Sequence, residues 1–387
     1  MFRKVIKFGV IGCGLMGREF ASAAARWCHL EKVDFEPRLI AACDANPAAL
    51  EWFTSNVPGV THTYTDYRRL LADPDVEAIY CAVPHNLHAD LYCDIIAAGK
   101  HLLGEKPFGI DKAACDRILA AVQSHPKVLV RCSSEMPFYP GGYAIAKLAR
   151  EGRFGRIMEV ESGLWHSSDL NPDKPINWKR QVKFCGEYGC LADLGMHALH
   201  LPLRFGWRPS HVAASLLKVI STRPDGKGGT AACDTWDNGT LLCRVPGDKG
   251  DFQMTISTKR IAPGHNNTWF IRVYGTKMSA EFSTKNPKEL RVLSYEPGGA
   301  QAWQVSDVGW ESAYKGITGG IFEFGFSDTI LQMWAAFCDE VAHGREGMSQ
   351  PFYCATPEEA AAHHEIFTAA LESQRDARTV ALTRKEP

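Results

Sequence analysis

The first residues here that could do chemistry are Gly12-Cys13-Gly14-Leu15-Met16-Gly17, a GxGxxG run. It stands between an apolar, strand-like stretch, Lys7–Ile11, and an alanine-rich helical one, Gly17–Trp27. In that setting the first glycine allows a tight turn and the second lets the backbone approach a pyrophosphate. The third lets the helix pack close on the strand, and the helix N-terminus attracts phosphate charge. A glycine-rich turn without a ligand has the same letters; the flanking strand and helix are what favour a dinucleotide site. Asp44 ends the next strand-like run, Arg38–Cys43. An acid there takes ribose hydroxyls and repels a 2′-phosphate, so NAD is expected rather than NADP. Asp44 lies farther from the glycines than the usual ~20 residues, and Cys28–Pro37 reads as an insertion that lengthens the crossover. The alternative for Asp44 is a helix cap ahead of Asn46-Pro47.

Two further groups follow strand ends. Pro84-His85-Asn86-Leu87-His88 comes after Ala78–Val83, and Glu105-Lys106-Pro107 after His101–Leu103. In an open parallel sheet the ligand crevice lies outside the carboxyl ends of the strands. That places Lys106 near the nicotinamide; a surface lysine before a turn proline is the plainer alternative. The residues expected around the cofactor are Gly12, Gly14, Leu15, Met16, Gly17, Asp44, Pro84, His85, Asn86, His88, Glu105 and Lys106.

Farther on, Gly189-Cys190-Leu191-Ala192-Asp193-Leu194-Gly195-Met196-His197 sets a carboxylate four residues before a histidine. On a helix the two share a face. The carboxylate can then orient the ring and raise its basicity. A capping aspartate and a core histidine would look the same. His197 and His200 lack the further ligands that a zinc site needs, so no metal is expected. Between these groups runs Trp165-His166-Ser167-Ser168-Asp169 to Asn177-Trp178-Lys179-Arg180, rich in aromatic and polar side chains. It suits either a sugar-binding wall or an ordinary long loop. Trp165, His166, Trp178, Lys179, Arg180 and Lys183 are the candidate substrate contacts. The three cations could pair with an anionic substituent or face solvent. His265-Asn266-Asn267-Thr268-Trp269 is a second polar–aromatic patch of unassigned role.

The elements that must position these groups change character along the chain. Strands and helices alternate at first: after those named come a helix Ala89–Ala98 closed by Gly99, a helix Asp111–Ser124 and a strand Lys127–Val130. Such alternation implies a doubly wound parallel sheet, an α/β Rossmann domain over residues 1–131. After a helix Tyr143–Glu151, strands follow one another: Ile157–Trp165, Thr240–Val245, Phe252–Ser257, Trp269–Tyr274, Ser279–Phe282 and Leu290–Ser294. Strands without intervening helices imply a mainly antiparallel sheet in an α+β domain over 132–387. Two helices close the chain, the second opening at Thr356-Pro357-Glu358-Glu359 with the marks of a capped N-terminus.

The chain has 387 residues, 45% of them hydrophobic, enough for a large core and two domains. Its 43 basic and 44 acidic residues leave a net charge of −1, so no overall field draws it to nucleic acid or an anionic membrane. No apolar run reaches the ~20 residues of a membrane helix, and Lys7 interrupts what would be a signal-peptide core. The 13 cysteines are odd in number and form no CxxC pair. Reduced thiols in a cytoplasmic protein are expected.

Taken together and in this order, these motifs resemble the Gfo/Idh/MocA family, which includes glucose–fructose oxidoreductase and inositol dehydrogenase. The resemblance spans nearly the whole chain. Besides the glycine run it rests on Val83-Pro84-His85-Asn86-Leu87-His88, Ala98-Gly99-Lys100-His101 and Glu105-Lys106-Pro107. Glu151-Gly152 with Gly155-Arg156-Ile157, Asp193/Gly195/His197 and Val273-Tyr274-Gly275-Thr276-Lys277 complete it. It implies that Lys106 contacts the substrate at the reacting hydroxyl, that His197 is the general acid/base and that Asp193 is its partner. It also implies an open-faced sheet used for homodimers or homotetramers. Two departures stand out. Met136-Pro137-Phe138-Tyr139 occupies the place where the family often has an arginine before the proline matching Pro140. His200 replaces an aspartate three residues after the histidine.

The expected function is hydride transfer between NAD and a secondary hydroxyl of a sugar, glycoside or cyclitol. Two alternatives stay open: a redox-neutral, NAD-dependent glycosidase, acting by transient sugar oxidation and elimination, and a non-enzymatic NAD or sugar sensor.

Overall fold

The structure is a computed structural model that describes residues 3–309, 311–319, 322 and 324–382. By its contacts the chain divides into two units. The first comprises residues up to 109, then 113–138 and 312–358; the second comprises 110–112, 139–311 and 359 onward.

The first unit is built on six parallel strands. In chain order they are β1 Lys4–Ile11, β2 Phe35–Cys43, β3 His62–Tyr64, β4 Ala78–Cys81, β5 His101–Gly104 and β6 Val130–Cys132. Their spatial order, β3-β2-β1-β4-β5-β6, is that of a dinucleotide-binding doubly wound sheet, with its switch point beside β1. The central strands read as continuous apolar runs because both faces are covered; Ala78–Cys81 is buried throughout. The helices are α1 Leu15–Ala25, α2 Pro47–Asn56, α3 Tyr67–Leu71, α4 His88–Ala97 and α5 Lys112–Ser124. β6 starts later than the expected Lys127–Val130, because a turn first closes with the Val128 N–H donating to His125 O at 2.9 Å.

The second unit carries α6 Pro140–Arg150, strand β7 Ile157–Trp165, and helices α7 Val182–Cys185 and α8 Cys190–Arg204. Then follow β8 His211–Leu217, the small β9 Thr222–Pro224 and β10 Thr230–Ala232 pair, β11 Asn238–Val245, β12 Phe252–Lys259, β13 Thr268–Gly275, β14 Met278–Ser283, β15 Glu289–Ser294 and β16 Gln304–Asp307. With β17 Val380–Ala381 they give a nine-stranded sheet ordered β16-β15-β14-β13-β7-β12-β11-β8-β17. Every neighbouring pair is antiparallel except β7 and β12. These two are far apart in sequence, and a tight hairpin cannot join them. Helix α8 is buried from Cys190 to Leu203 and lies against β7, β11, β12 and β13. On the sheet, β11 alternates, with Leu241, Cys243 and Val245 buried and Leu242 exposed.

Two helices remain. α10, Pro357–Asp376, belongs almost wholly to the second unit, where Glu359 pairs with Arg204 at the end of α8. α9, Phe326–His343, returns to the first unit and packs on α1, β1 and β2. Its Trp334, fully buried, lies with its ring 4.8 Å from that of Phe8 on β1. Trp334→Ala should cost ~3–5 kcal/mol, as large aromatic truncations in a packed core do. Denaturant unfolding checks this, and a loss below ~1 kcal/mol would show that the contact with α9 is not part of the unit's core.

Candidate active site

In the first unit the glycine run forms the turn from β1 into α1. Gly12 sits at φ +97°, and a Cβ there would lie 2.2 Å from the Ala82 carbonyl oxygen. A Cβ on Gly17 would meet the Gly12 carbonyl at 2.3 Å, whereas one on Gly14 would meet nothing within 4 Å. The turn and the helix contact are therefore closed to any side chain, while the backbone at Gly14 is open to a ligand. α1 starts directly after it with no side chain capping its first N–H groups, which leaves them for an anion. Leu15 is exposed, Met16 half-buried and Gly17 buried.

Asp44 closes this loop from the end of β2. Its Oδ2 accepts the Cys13 N–H at 2.9 Å and its Oδ1 the Asn46 N–H at 2.8 Å. The cap of α2 is Asn46, whose side chain accepts from Ala48 N–H. Each Asp44 oxygen keeps a lone pair for a ribose hydroxyl.

Along the same edge, Pro84 and Asn86 are half-buried after β4, and His85 and His88 are buried. His88 ties two strand ends together: Nδ1 lies 2.6 Å from Pro107 O and Nε2 2.9 Å from Val83 O. Burial pushes its pKa down, so the neutral ring donates to one carbonyl at a time. Glu105 is buried and accepts from the Tyr80 hydroxyl at 2.6 Å, and its carbonyl accepts from the Tyr92 hydroxyl at 2.6 Å. Lys106 follows, joined to Pro107 by a cis peptide bond. The Asn86 Oδ1 is buried with no hydrogen-bond partner, an arrangement that costs ~1–3 kcal/mol unless a ligand donates to it. The open backbone at Gly14, the uncapped helix, the acid at β2 and this orphaned oxygen all lie along the carboxyl edge of one sheet, and they fit NAD.

In the second unit the segment Gly189–His197 is helical from Cys190 on, as α8, and brings Asp193 and His197 four residues apart on its buried length. Gly189 enters the helix at φ +56°, where a Cβ would lie 2.7 Å from Trp236 N. Asp193 stands in the first turn, the end where the helix dipole favours a negative charge. Two cations hold its carboxylate: Lys179 Nζ at 2.9 Å and Arg260 at 3.0 Å. The Trp269 indole donates to the His197 carbonyl at 3.0 Å and fixes the helix on β13. His200 is buried, and its Nε2 accepts from the Arg204 guanidinium at 2.8 Å.

The loop before α8 is held by a second buried network. Arg180, 1% exposed, pairs with Asp237 and with Asp169, the latter at 3.2 Å. Lys179 and Arg180 are thus both engaged with aspartates of their own unit. Lys183 is exposed over the Phe184 ring, and the half-buried Trp178 lies 5.6 Å from the Lys179 ammonium. The two polar–aromatic patches of the sequence meet. Trp165 pairs with Thr268 across β7 and β13, with the His265 ring edge-on at 4.8 Å and the Lys259 ammonium 4.4 Å from its centroid. His166 is half-buried, and burial pushes its pKa down to about 4. Its Nδ1 accepts the Ser168 N–H at 3.3 Å. A backbone N–H can only donate, so the neutral ring carries its proton on Nε2.

Three charged residues of these surroundings carried no signal in the sequence. Arg260, fully buried, follows β12 directly, and Asp237 and Glu135 sit in buried positions after ordinary loops. Nothing local separates a buried charge from an exposed one. At the departure before Pro140, Phe138 packs edge-on against Phe352 at 4.9 Å, so apolar contact fills that position.

Comparison with known proteins agrees with this geometry. Residues 6–132 match the oxidoreductase family with the NAD-binding Rossmann fold, and residues 143–281 match the GFO/IDH/MocA C-terminal domain. The chain belongs to the Gfo/Idh/MocA oxidoreductase family. Levoglucosan dehydrogenase of Pseudarthrobacter phenanthrenivorans is 26% identical over 299 residues, 74% of this chain and 76% of the relative. Trans-1,2-dihydrobenzene-1,2-diol dehydrogenase of Mus musculus is 26% identical over 264 residues, 64% of this chain and 74% of the relative. A solved structure of levoglucosan dehydrogenase in complex with NADH and L-sorbose has a TM-score of 0.86. It covers 98% of this chain and 100% of its own at 23% identity, a likeness of fold. As a Gfo/Idh/MocA protein the chain is an oxidoreductase that binds NAD through its first unit. No helix among the described residues is long and apolar enough to cross a membrane.

NAD should bind more tightly than NADP, and Asp44→Ala should weaken NAD binding and narrow that preference. Titration of both cofactors checks this. A wild-type protein binding NADP tenfold more tightly, ~1.4 kcal/mol, would remove Asp44 from the ribose.

Proposed function

We propose that this oxidoreductase moves a hydride between NAD and a secondary hydroxyl of a sugar, glycoside or cyclic polyol, with Lys106, Asp193 and His197 as its chemical centre. The observation that carries this reading is the buried carboxylate–histidine spacing on α8, with Asp193 held by Arg260 and Lys179. Support for the substrate class comes from the merged polar–aromatic surface of Trp165, His166 and His265, with Trp178 in the same unit. Relatives named for levoglucosan and dihydrobenzene-diol point the same way.

Bound NAD supplies the hydride acceptor. In the direction of oxidation, neutral His197 takes the hydroxyl proton, and Asp193 orients the ring. The Lys106 ammonium stabilises the oxygen as negative charge develops on it. His166 is a poor candidate for the base, because its pKa is pushed down to about 4 and its Nδ1 is occupied by Ser168. It suits instead a donor through Nε2 to a sugar oxygen. Lys179 and Lys183 are the cations to meet an anionic substituent, since Arg180 is buried between two aspartates. The nine-stranded sheet, on which Met158 and Leu242 are exposed, is the proposed surface for a homodimer or homotetramer.

Loss of a general acid/base costs ~100- to 10,000-fold in rate. His197→Ala, shown to be folded, should lose hydride transfer by that factor with its NAD affinity unchanged. Lys106→Ala should also slow the hydride step. Single-turnover NADH formation across a panel of sugars and cyclitols is the measurement. A folded His197→Ala that reduces NAD at a near-normal rate would take the proton step away from His197.

A further inference from the structure

Two motifs of the sequence stay unused by the reaction above, Gly155-Arg156-Ile157 and Tyr274-Gly275-Thr276-Lys277. They meet in the second unit. The Arg156 N–H donates to Thr276 Oγ1 at 3.0 Å, and the Thr276 and Lys277 N–H groups donate to the Arg156 and Phe154 carbonyls at 2.9 and 3.0 Å. The Arg156 guanidinium reaches the turn between β11 and β12, where its Nη1 donates to Lys249 O at 3.0 Å. These segments and the C-terminal ends of α6 and α8 line a cleft of about 620 Å³. Small-molecule pockets have this size, ~300–1,000 Å³. Asp193 stands in the first turn of α8, and Phe205 caps its far end. At 1.5 Å per residue, about 18 Å of helix lies between them.

The lining is aromatic on one side. The Trp207 ring makes edge contacts with Phe205 at 5.0 Å and with Phe252 at 6.1 Å. Phe252 is buried, whereas Phe205 and Trp207 are half-buried. The rest is basic. Arg156, Lys249 and Lys277 all line the cleft and are exposed, and among the described residues none of them makes an ion pair. A Cβ on Gly155 would lie 2.8 Å from Lys277 Cγ, so the stem of that lysine rests on bare backbone. Arg156 spends only Nη1 on the protein; among the described residues its Nε and Nη2 have no partner. That edge of a guanidinium grips a carboxylate with two parallel bonds.

The helix ends account for part of the basic lining. Gly152 and Gly206, at φ +63° and +77°, close α6 and α8 at the cleft. A helix C-terminus carries about half a negative charge and favours a nearby cation. Two such ends offset about one positive charge. Three cations against Asp248, the one acid of the described lining, leave more than that. The surplus is about one positive charge, set beside an open aromatic surface.

We propose that this cleft is a ligand site for a small aryl carboxylate, separate from the Asp193–His197 centre. The ring packs on Phe205 and Trp207, edge-on or offset as aromatic pairs do, and the carboxylate takes the free edge of Arg156 with Lys249 and Lys277 around it. The site does not depend on the reaction proposed above.

Calorimetric titration of the whole protein with cinnamate tests this. NAD is kept saturating, so that the first unit's site is filled, and ionic strength is kept low, because salt screens exposed charges. Cinnamate should bind saturably at one site with a Kd below ~1 mM. Cinnamyl alcohol, the same ring without the charge, should bind at least ~10-fold more weakly, the worth of a hydrogen-bonded charge. Lys249→Glu with Lys277→Glu should weaken cinnamate about tenfold, as two reversed surface charges do, with NAD affinity unchanged. Lys127→Glu with Lys227→Glu alters the net charge equally at exposed positions outside the cleft and should change nothing. Trp207→Ala, shown to be folded, should cost about fivefold or more. Absence of saturable binding overturns the proposal, as does an alcohol that binds as tightly as the acid. An equal loss in the two lysine pairs overturns it too. These three outcomes need only the wild type and surface variants, so the proposal stays falsifiable if Trp207→Ala does not fold.

Discussion

A carboxylate buried against a buried guanidinium organises the second unit. Asp193 is 2% exposed and Arg260 fully buried. Neither charge is tolerable in that interior without the other. Their pairing fixes the entry of α8, on which His197 rides one turn later, against the end of β12. Lys179 adds a second cation from the loop that carries Trp178 and Arg180. On the proposed function, chemistry and architecture share one residue. Removing Asp193 would strand Arg260, a loss of ~3–5 kcal/mol in comparable buried pairs. Inactivity in such a variant reports on the fold as much as on the reaction, and His197 is the cleaner residue to interrogate.

The first unit solves a different problem, that of close approach. Where β1 turns into α1, the backbone passes within reach of the Ala82 carbonyl and of itself, and only glycine fits at 12 and 17. Asp44 completes the turn by accepting the Cys13 N–H, so the acid expected to read a ribose also braces the loop that would cradle the phosphates. His88 does comparable work at the neighbouring strand ends, bridging the chain after β4 to the turn after Lys106. In this site the groups expected to face the cofactor are also its struts.

Much of this was legible from spacing. The GxGxxG run, the strand ends at Asp44, Pro84 and Glu105, and the α8 segment around Asp193 and His197 are local patterns, and local patterns survive folding. What could not be read depends on which distant segments meet. At Asp44 the ribose ligand is the expected role and a helix cap the alternative; the cap of α2 is Asn46, two residues on. The patches at 165–169 and 265–269 looked separate and are joined by the β7–β13 pairing. The parallel alignment of β7 with β12 follows from a long detour through α8 and β8 to β11, which no hairpin rule anticipates. The burial of Arg260, Asp237 and Glu135 is invisible for the same reason: an isolated charged letter looks solvated until its partner is known.

The central claim is that hydrogen passes as hydride from a carbon bearing a secondary hydroxyl to NAD. It is tested most directly by incubating the protein and NAD with cyclic sugars and polyols, levoglucosan included, deuterated on their ring carbons. Accumulating NADH that carries the deuterium, with a matching ketone product, is the expected result. Release of free sugar without net NADH, or no deuterium in the cofactor with any member of the panel, would contradict it.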